Sequence, residues 1–321
     1  MKPLLEIDNL HVHFFLYKGI AKVLNGVNLK IHNKGIQGIV GESGSGKSMT
    51  ALSILQLIKS PGKIIDGSIK YKGEDLLKKD LNDIKNFRGK KIALIPQGSR
   101  AALNPVFTIG AQIALLYKVH KNMKKRESYE AAEEVLRSVG IPEPRKRLRA
   151  YPHELSGGMC QRILIAMGLA SDPTLLIADE PTTGVDVTIQ AQILDLILEL
   201  VNEKNSSCIL ITHALGVIAE VCRHVAVMYA GQVVEYGTAK DIFTDPKHPY
   251  TEKLIDATLR IDKKKTITSI KGTVPNFMHL PLGCSFSPRC HKAIDLCHRQ
   301  KPNTYYFADN RYVMCHLVST T

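Results

Sequence analysis

An α/β fold built on a parallel sheet is predicted by three observations. Gly41 to Ser48 reads G-x-x-x-x-G-K-[ST] between a short apolar strand and an apolar-periodic helix. A second apolar run, Thr174 to Ala178, ends in the acids Asp179 and Glu180. Strand-length runs at Lys91 to Pro96 and Ser207 to Ile211 each lead into a polar or ionisable residue, Gln97 and His213.

The phosphate loop comes first, because the other elements are placed relative to it. Gly35 to Val40 reads as a buried strand and Met49 to Ile58 as a helix whose N-terminus faces the loop. The backbone N–H groups from Gly41 through Ser43, Gly44 and Gly46 would wrap a phosphate chain. Lys47 would reach the β and γ oxygens, and the Ser48 hydroxyl would ligate magnesium. A chance match to this pattern occurs in about one chain in a hundred of this length.

The run ending at Asp179 and Glu180 suits a buried parallel strand that delivers two carboxylates to the sheet edge beside the loop. Asp179 would hold magnesium, directly or through water, and Glu180 would position or deprotonate an attacking water. Gln97 offers a neutral amide that binds magnesium or water without adding charge; alone it also reads as an ordinary polar loop residue. Leu155-Ser156-Gly157-Gly158-Met159 precedes the apolar-periodic run Ile163 to Leu169. It would open a helix with free N–H groups, an anion site by geometry and dipole. His213 ends its strand within reach of a γ-phosphate or water.

Taken in order, Lys47, Gln97, Leu155 to Met159, Asp179-Glu180, Asp186 and His213 resemble the Walker A, Q-loop, signature, Walker B, D-loop and switch-histidine elements of ATP-binding-cassette (ABC) transporter ATPases. The resemblance covers residues 1 to about 258. It implies a P-loop NTPase with a RecA-like core, an antiparallel β subdomain and a helical insert, binding ATP and Mg2+. It further implies that Ser156, Gly157 and Gly158, with Asp186 nearby, meet the nucleotide held by a second ATPase subunit, identical or different. Two transmembrane permease subunits and an extracytoplasmic solute-binding protein would complete the assembly, placing the chain on the cytoplasmic face of the membrane. A soluble cassette acting on ribosomes or nucleic acid is the alternative class. Those proteins usually carry two cassettes or a long coiled-coil insert, and this chain has one phosphate loop and one signature.

An adenine platform should be aromatic. Tyr17 is the candidate, with Phe14 and Phe15 as alternatives; Val12 to Leu16 alternates poorly, so a core ring fits the segment as well. The 321 residues, 44% hydrophobic, suffice for a large core. No apolar run approaches the roughly 18 residues of a membrane span, and Met1 to Asp8 lacks the layout of a secretory signal. The net charge of +13 falls in clusters at Lys121 to Arg126, Arg145 to Arg149 and Lys263 to Lys265 without interleaved aromatics. That favours a solvated face or an anionic leaflet over nucleic acid.

Residues 1–258 are therefore expected to form the nucleotide-binding domain, with a mainly helical insert over 99–167 and a hairpin joining Val225–Tyr229 to Gly231–Glu235. Residues 259–321 form an extension with four of the seven cysteines, Cys284, Cys290, Cys297 and Cys315. Pro281 to Cys284, Ser287 to Cys290 and His248-Pro249-Tyr250-Thr251 resemble importer ATPases that serve oligopeptides, dipeptides and nickel. Peptide import is the expected function, with nickel or metal-chelate import as the alternative. Four thiolates suit a [4Fe-4S] cluster, which the resemblance also implies; zinc, with His291, His298 or His316 substituting as ligands, and free thiols stay open. Four positions depart from the subgroup: Cys160 after the signature, Gly98-Ser99-Arg100 after Gln97, Gly184-Val185 before Asp186, and Ala214 after His213.

Overall fold

A computed structural model describes residues 2–257, 270–307 and 310–318. The basic cluster at Lys263 to Lys265 lies outside the described residues. The chain divides into two compact units, one of residues 1–32, 36–78 and 211–321, the other of residues 33–35 and 79–210. In chain order the strands are β1 (Leu5–Leu16), β2 (Gly19–Ile31), β3 (Gly35–Val40), β4 (Gly62–Tyr71), β5 (Glu74–Asp75) and β6 (Ile92–Ile95). They continue as β7 (Leu175–Asp179), β8 (Ser207–Ile211), β9 (His224–Tyr229), β10 (Gln232–Thr238), β11 (Thr304–Tyr306) and β12 (Tyr312–Met314).

The first unit carries an antiparallel sheet in the order β2-β1-β4-β5. Leu5 and Ile7 point inward at odd positions, whereas Leu10 and Val12 point inward at even ones, and all four are buried. A register shift between Ile7 and Leu10 causes this change of phase, so the apolar residues stay on one face. The poor alternation in the sequence is the signature of that irregularity.

The same unit holds β3 parallel to β9, paired from Gln37 with His224 to Val40 with Val227. The expected hairpin is present: β9 turns into β10 through Ala230 (φ 45°) and Gly231 (φ 78°), the two left-handed residues of a tight two-residue turn. Only glycine serves at position 231, where a Cβ would sit 2.2 Å from the Val23 carbonyl oxygen. The C-terminal residues then extend the sheet, β12 pairing with β10 and β11 with β12. This seam buries a charge. Glu235 is fully buried and accepts from Arg311 Nη2 at 3.0 Å and from the backbone N–H groups of Lys247 and His248 at 2.8 and 3.0 Å. With its lone pairs so occupied the carboxylate is tolerated; removing Arg311 alone would leave a buried charge, at about 3–5 kcal/mol.

The second unit is built on β6 parallel to β7, with β8 on the other side of β7. Every residue of β7 and β8 is buried, which explains their unbroken apolar runs. Each fully buried Leu or Ile there contributes about 2 kcal/mol. Helices at Ile109–Lys121, Lys125–Ser138 and Gly157–Leu169 occupy the stretch expected to be helical. Thr108 caps the first, accepting from the Ala111 N–H, and Asn122 ends it in the left-handed region. No helix among the described residues is long and apolar enough to cross a membrane.

Candidate functional site

In the first unit the phosphate loop joins β3 to the helix Lys47–Ile54. Gly41 lies at φ 153°, where a Cβ would meet the Met228 carbonyl oxygen of β9 at 2.2 Å. The Lys47 side chain is 5% exposed and folds back into the loop, its Nζ donating to the carbonyls of Gly41 at 2.8 Å and Glu42 at 2.9 Å. A phosphate chain offers the same ammonium stronger acceptors. Ser48 follows Lys47 in the first helical turn. His213 stands exposed just past the end of β8, as expected, and the next N–H, of Ala214, is taken by Thr212 Oγ1 at 3.1 Å. Tyr17 sits fully exposed at the turn between β1 and β2. Phe14 packs on Gly62 and Phe15 lies 5.9 Å under the Lys63 ammonium, so of the three rings Tyr17 alone is wholly presented to solvent.

In the second unit Asp179 closes β7 and is buried, while Glu180 turns out of the strand in the left-handed region at φ 47°. That conformation costs a non-glycine residue about 1 kcal/mol and is typical of a constrained functional position. Its carboxylate Oε2 accepts from Gln97 Nε2 at 2.7 Å and from Thr183 Oγ1 at 3.0 Å. Gln97 and Glu180, 83 residues apart, are thus joined by a direct side-chain hydrogen bond. Ser156 caps the helix Gly157–Leu169, accepting from the Met159 N–H at 3.3 Å, so the helix opens where the spacing placed an anion site. A Cβ on Gly158 would meet Ile189 at 3.1 Å, so the glycine pair opens that helix against the one that follows Asp186. Asp186 itself caps the helix Val187–Glu203 through the Ile189 N–H at 3.0 Å.

Residues 24–183 match the ABC transporter family description, and residues 234–297 match that of the oligopeptide/dipeptide transporter C-terminal region. The chain is 47% identical over 319 residues to the oligopeptide transport ATP-binding protein AppD of Bacillus subtilis, covering 99% of this chain and 97% of that protein. The chain belongs to the ABC transporter family. It is 43% identical over 314 residues to the dipeptide transport ATP-binding protein DppD of Escherichia coli, covering 98% and 96% of the two chains. A solved ATP-binding cassette, dimeric and bound to ADP and Pi in a post-hydrolysis state, superposes with a TM-score of 0.66 at 26% identity, covering 73% of this chain and 98% of that one. The fold is thus the P-loop fold of ABC ATPases, and the chain is an ATPase of that type.

Two departures from the subgroup turn out to be neighbours. Arg100 Nη2 donates to the Leu155 carbonyl at 3.1 Å, tying the segment after the Q-loop glutamine to the signature loop. Cys160 is fully buried, with Sγ 3.6 Å from the Pro152 carbonyl oxygen; burial pushes its thiol pKa up while adjacent Arg100 pulls it down. Gly184 takes a left-handed φ of 81° with nothing close to it, and nothing in the structure explains the choice of Val185.

The tail thiols do not assemble as expected. Cys284, Cys290, Cys297 and Cys315 form no disulfide and lie in one another's electrostatic field, and burial pushes the Cys315 thiol up to about 11. Among the described residues no group of three or more His, Cys, Asp or Glu side chains is placed to hold a metal ion, so the expected [4Fe-4S] cluster and its zinc alternative gain no support from this arrangement.

Sequence reasoning missed what holds the phosphate loop from behind. The Glu42 N–H donates to Tyr250 Oη at 2.9 Å, and Arg289 pairs with the Glu42 carboxylate. The signals were the His248 to Thr251 and Ser287 to Cys290 motifs, which hold Tyr250 and Arg289 and which pointed to a resemblance but to no contact. His248 explains part of the first motif: it is 2% exposed, and its Nδ1 accepts the Tyr250 N–H at 3.0 Å, which requires the neutral ring. Burial pushes its pKa down to about 3. The folded chain keeps His248 neutral while the unfolded chain takes up a proton below about 6.5, so stability present above that pH is lost as the pH falls from about 6.5 towards 3. The slope is about 1.4 kcal/mol per pH unit. Melting of the wild type between pH 7 and pH 5 is expected to fall more steeply than that of His248→Asn, whose amide oxygen also accepts the N–H; equal slopes would refute the assignment.

Proposed function

We propose that this chain is an ATP-hydrolysing subunit of a peptide importer, acting on the cytoplasmic face of the membrane. The observation that carries the reading is the likeness to oligopeptide and dipeptide transport ATP-binding proteins, which runs the length of the chain and includes the C-terminal region. Residues 1–258 form the nucleotide-binding part. Gly41, Ser43, Gly44, Gly46 and Lys47 hold the phosphates, and Tyr17 stacks on adenine. Ser48, Gln97 and Asp179 offer hydroxyl, amide and carboxylate oxygens, a hard donor set that fits magnesium. Magnesium, when bound, supplies neutralisation of charge on the transferring phosphoryl group. Glu180 positions and deprotonates the attacking water, Gln97 fixes Glu180, and His213 contacts the γ-phosphate. Ser156 to Gly158 and Asp186 serve the nucleotide of a second ATPase subunit. Closure of that pair moves two permease subunits, fed by a solute-binding protein.

Deleting the gene is expected to abolish uptake of labelled di- and oligopeptides, and the wild-type chain to restore it. Intact peptide uptake with lost nickel uptake would overturn the substrate assignment. The tail thiols enter the same reading as ligands of an iron–sulfur cluster, a reading that rests on their number in the C-terminal region. Anaerobic purification followed by iron and sulfide assay decides, and a folded, colourless, iron-free protein would sink it.

A further inference from the structure

Glu42, the second residue of the phosphate loop, has no part in the chemistry assigned above, yet it is held from three sides. Its N–H donates to Tyr250 Oη at 2.9 Å and its carbonyl accepts from Lys47 Nζ at 2.9 Å. Its carboxylate receives a two-pronged bond from Arg289, Nη1 to Oε2 at 2.6 Å and Nη2 to Oε1 at 3.0 Å. The Arg289 side chain is only 5% exposed, and its other N–H groups are also taken. Nε donates to the Lys271 carbonyl at 2.9 Å, Nη2 reaches the carbonyls of Ile270 and Gly272, and Nη1 reaches Tyr229 Oη at 3.3 Å. The rings of Tyr229, Tyr250 and Phe286 pack at centroid distances of 4.7 to 5.3 Å beneath this arrangement. A guanidinium fork matched to a carboxylate and walled by aromatics is a rigid device.

We propose that Arg289, in the C-terminal region, is a positioning residue for the phosphate loop. It acts in two ways. A free carboxylate inside an anion-binding loop would repel the triphosphate, and the guanidinium cancels that charge. A loop carrying glycines at positions 41, 44 and 46 also loses conformational freedom when it closes on phosphates, and fixing Glu42 in advance reduces that loss. The tail therefore sets the ATP affinity of a site to which it contributes no phosphate ligand. The inference rests on Gly41 to Ser48 holding the nucleotide.

The test uses the purified full-length chain, titrated with MgATP and assayed for turnover. Arg289→Gln is expected to weaken MgATP binding and raise KM about tenfold, with kcat at saturation within about twofold, because the loss falls on binding. Arg289→Lys, which keeps the charge but not the fork, is expected to fall between, at about threefold. The decisive readout is the double variant: Glu42→Gln/Arg289→Gln should bind MgATP more tightly than Arg289→Gln alone, since the uncompensated carboxylate is gone. A purely structural arginine would give a lower melting temperature without this rescue. Wild-type affinity in both Arg289 variants, or a double variant no tighter than Arg289→Gln, would overturn the proposal. If Arg289→Gln does not fold, Arg289→Lys carries the test alone, and binding equal to wild type overturns it. Lys47→Ala in the same titration reports on the loop itself: wild-type affinity there would reject the nucleotide site, whatever Arg289 does.

Discussion

Replacing Glu180 by Gln is expected to lower ATP turnover about a hundredfold or more, the usual worth of a positioned general base, while MgATP affinity stays within about threefold. The separation follows from the local geometry. The oxygen that accepts from Gln97 Nε2 and Thr183 Oγ1 has an equivalent in the amide of glutamine, so the side chain keeps its place. What it loses is basicity. The strained φ of 47° at this residue is retained as well, because the backbone and not the carboxylate sets it. Phosphate release and peptide uptake by the assembled transporter give the two readouts. If turnover and uptake persist near wild-type rates, Glu180 is not the base and the assignment of β7 to water activation is wrong. Gln97→Ala should mimic part of the loss by freeing the carboxylate, and its effect should shrink in the Glu180→Gln background by the share that runs through Glu180, what is left reporting on the magnesium contact.

Much of the site was legible because its residues are local in sequence. Gly41 to Ser48, Ser156 to Gly158 and Asp179-Glu180 are short runs whose spacing alone states what the backbone must do, and the strands that carry the first and the last are buried, so they read as unbroken apolar stretches. The irregular register of β1 was not legible, since a shift inside the strand erases the period-2 signal on which a strand assignment depends. Partner choices were equally hidden. Arg289 and Glu42 are 247 residues apart, and Arg100 and Leu155 are 55 apart, so no periodicity links them. Cys160 is a further case: a departure from the subgroup pattern in sequence, it is a buried thiol next to Arg100, which belongs to another departure. The metal expected of the tail gains no support from the described residues, for a related reason. Cysteine spacing shows that four sulfurs can be brought near one another, but not that three or more converge on a common point.

Replacing Gly41 by Ala is expected to cost about a hundredfold in MgATP affinity, far more than the same change at Gly44. At Gly44 the penalty is conformational alone: φ is 77° and nothing lies within 4 Å of the added carbon, so the loop keeps its course at about 1 kcal/mol, a factor of about five. At Gly41 the added carbon meets the Met228 carbonyl oxygen at 2.2 Å and Ser45 Oγ at 2.8 Å. The carbonyl belongs to β9, and the neighbouring ladder pairs Val40 with Val227, so neither backbone can withdraw without opening the sheet. The loop must move instead, which carries the Gly41 carbonyl away from Lys47 Nζ and turns the following N–H groups off the phosphate path. Strain of about 3 kcal/mol concentrated in the binding conformation corresponds to about a hundredfold in Kd. Calorimetric titration of both variants, alongside melting curves to confirm folding, measures the order. Gly44→Ala weakening binding as much as Gly41→Ala would mean that the loop grips phosphate in a conformation other than the one in which β9 confines it.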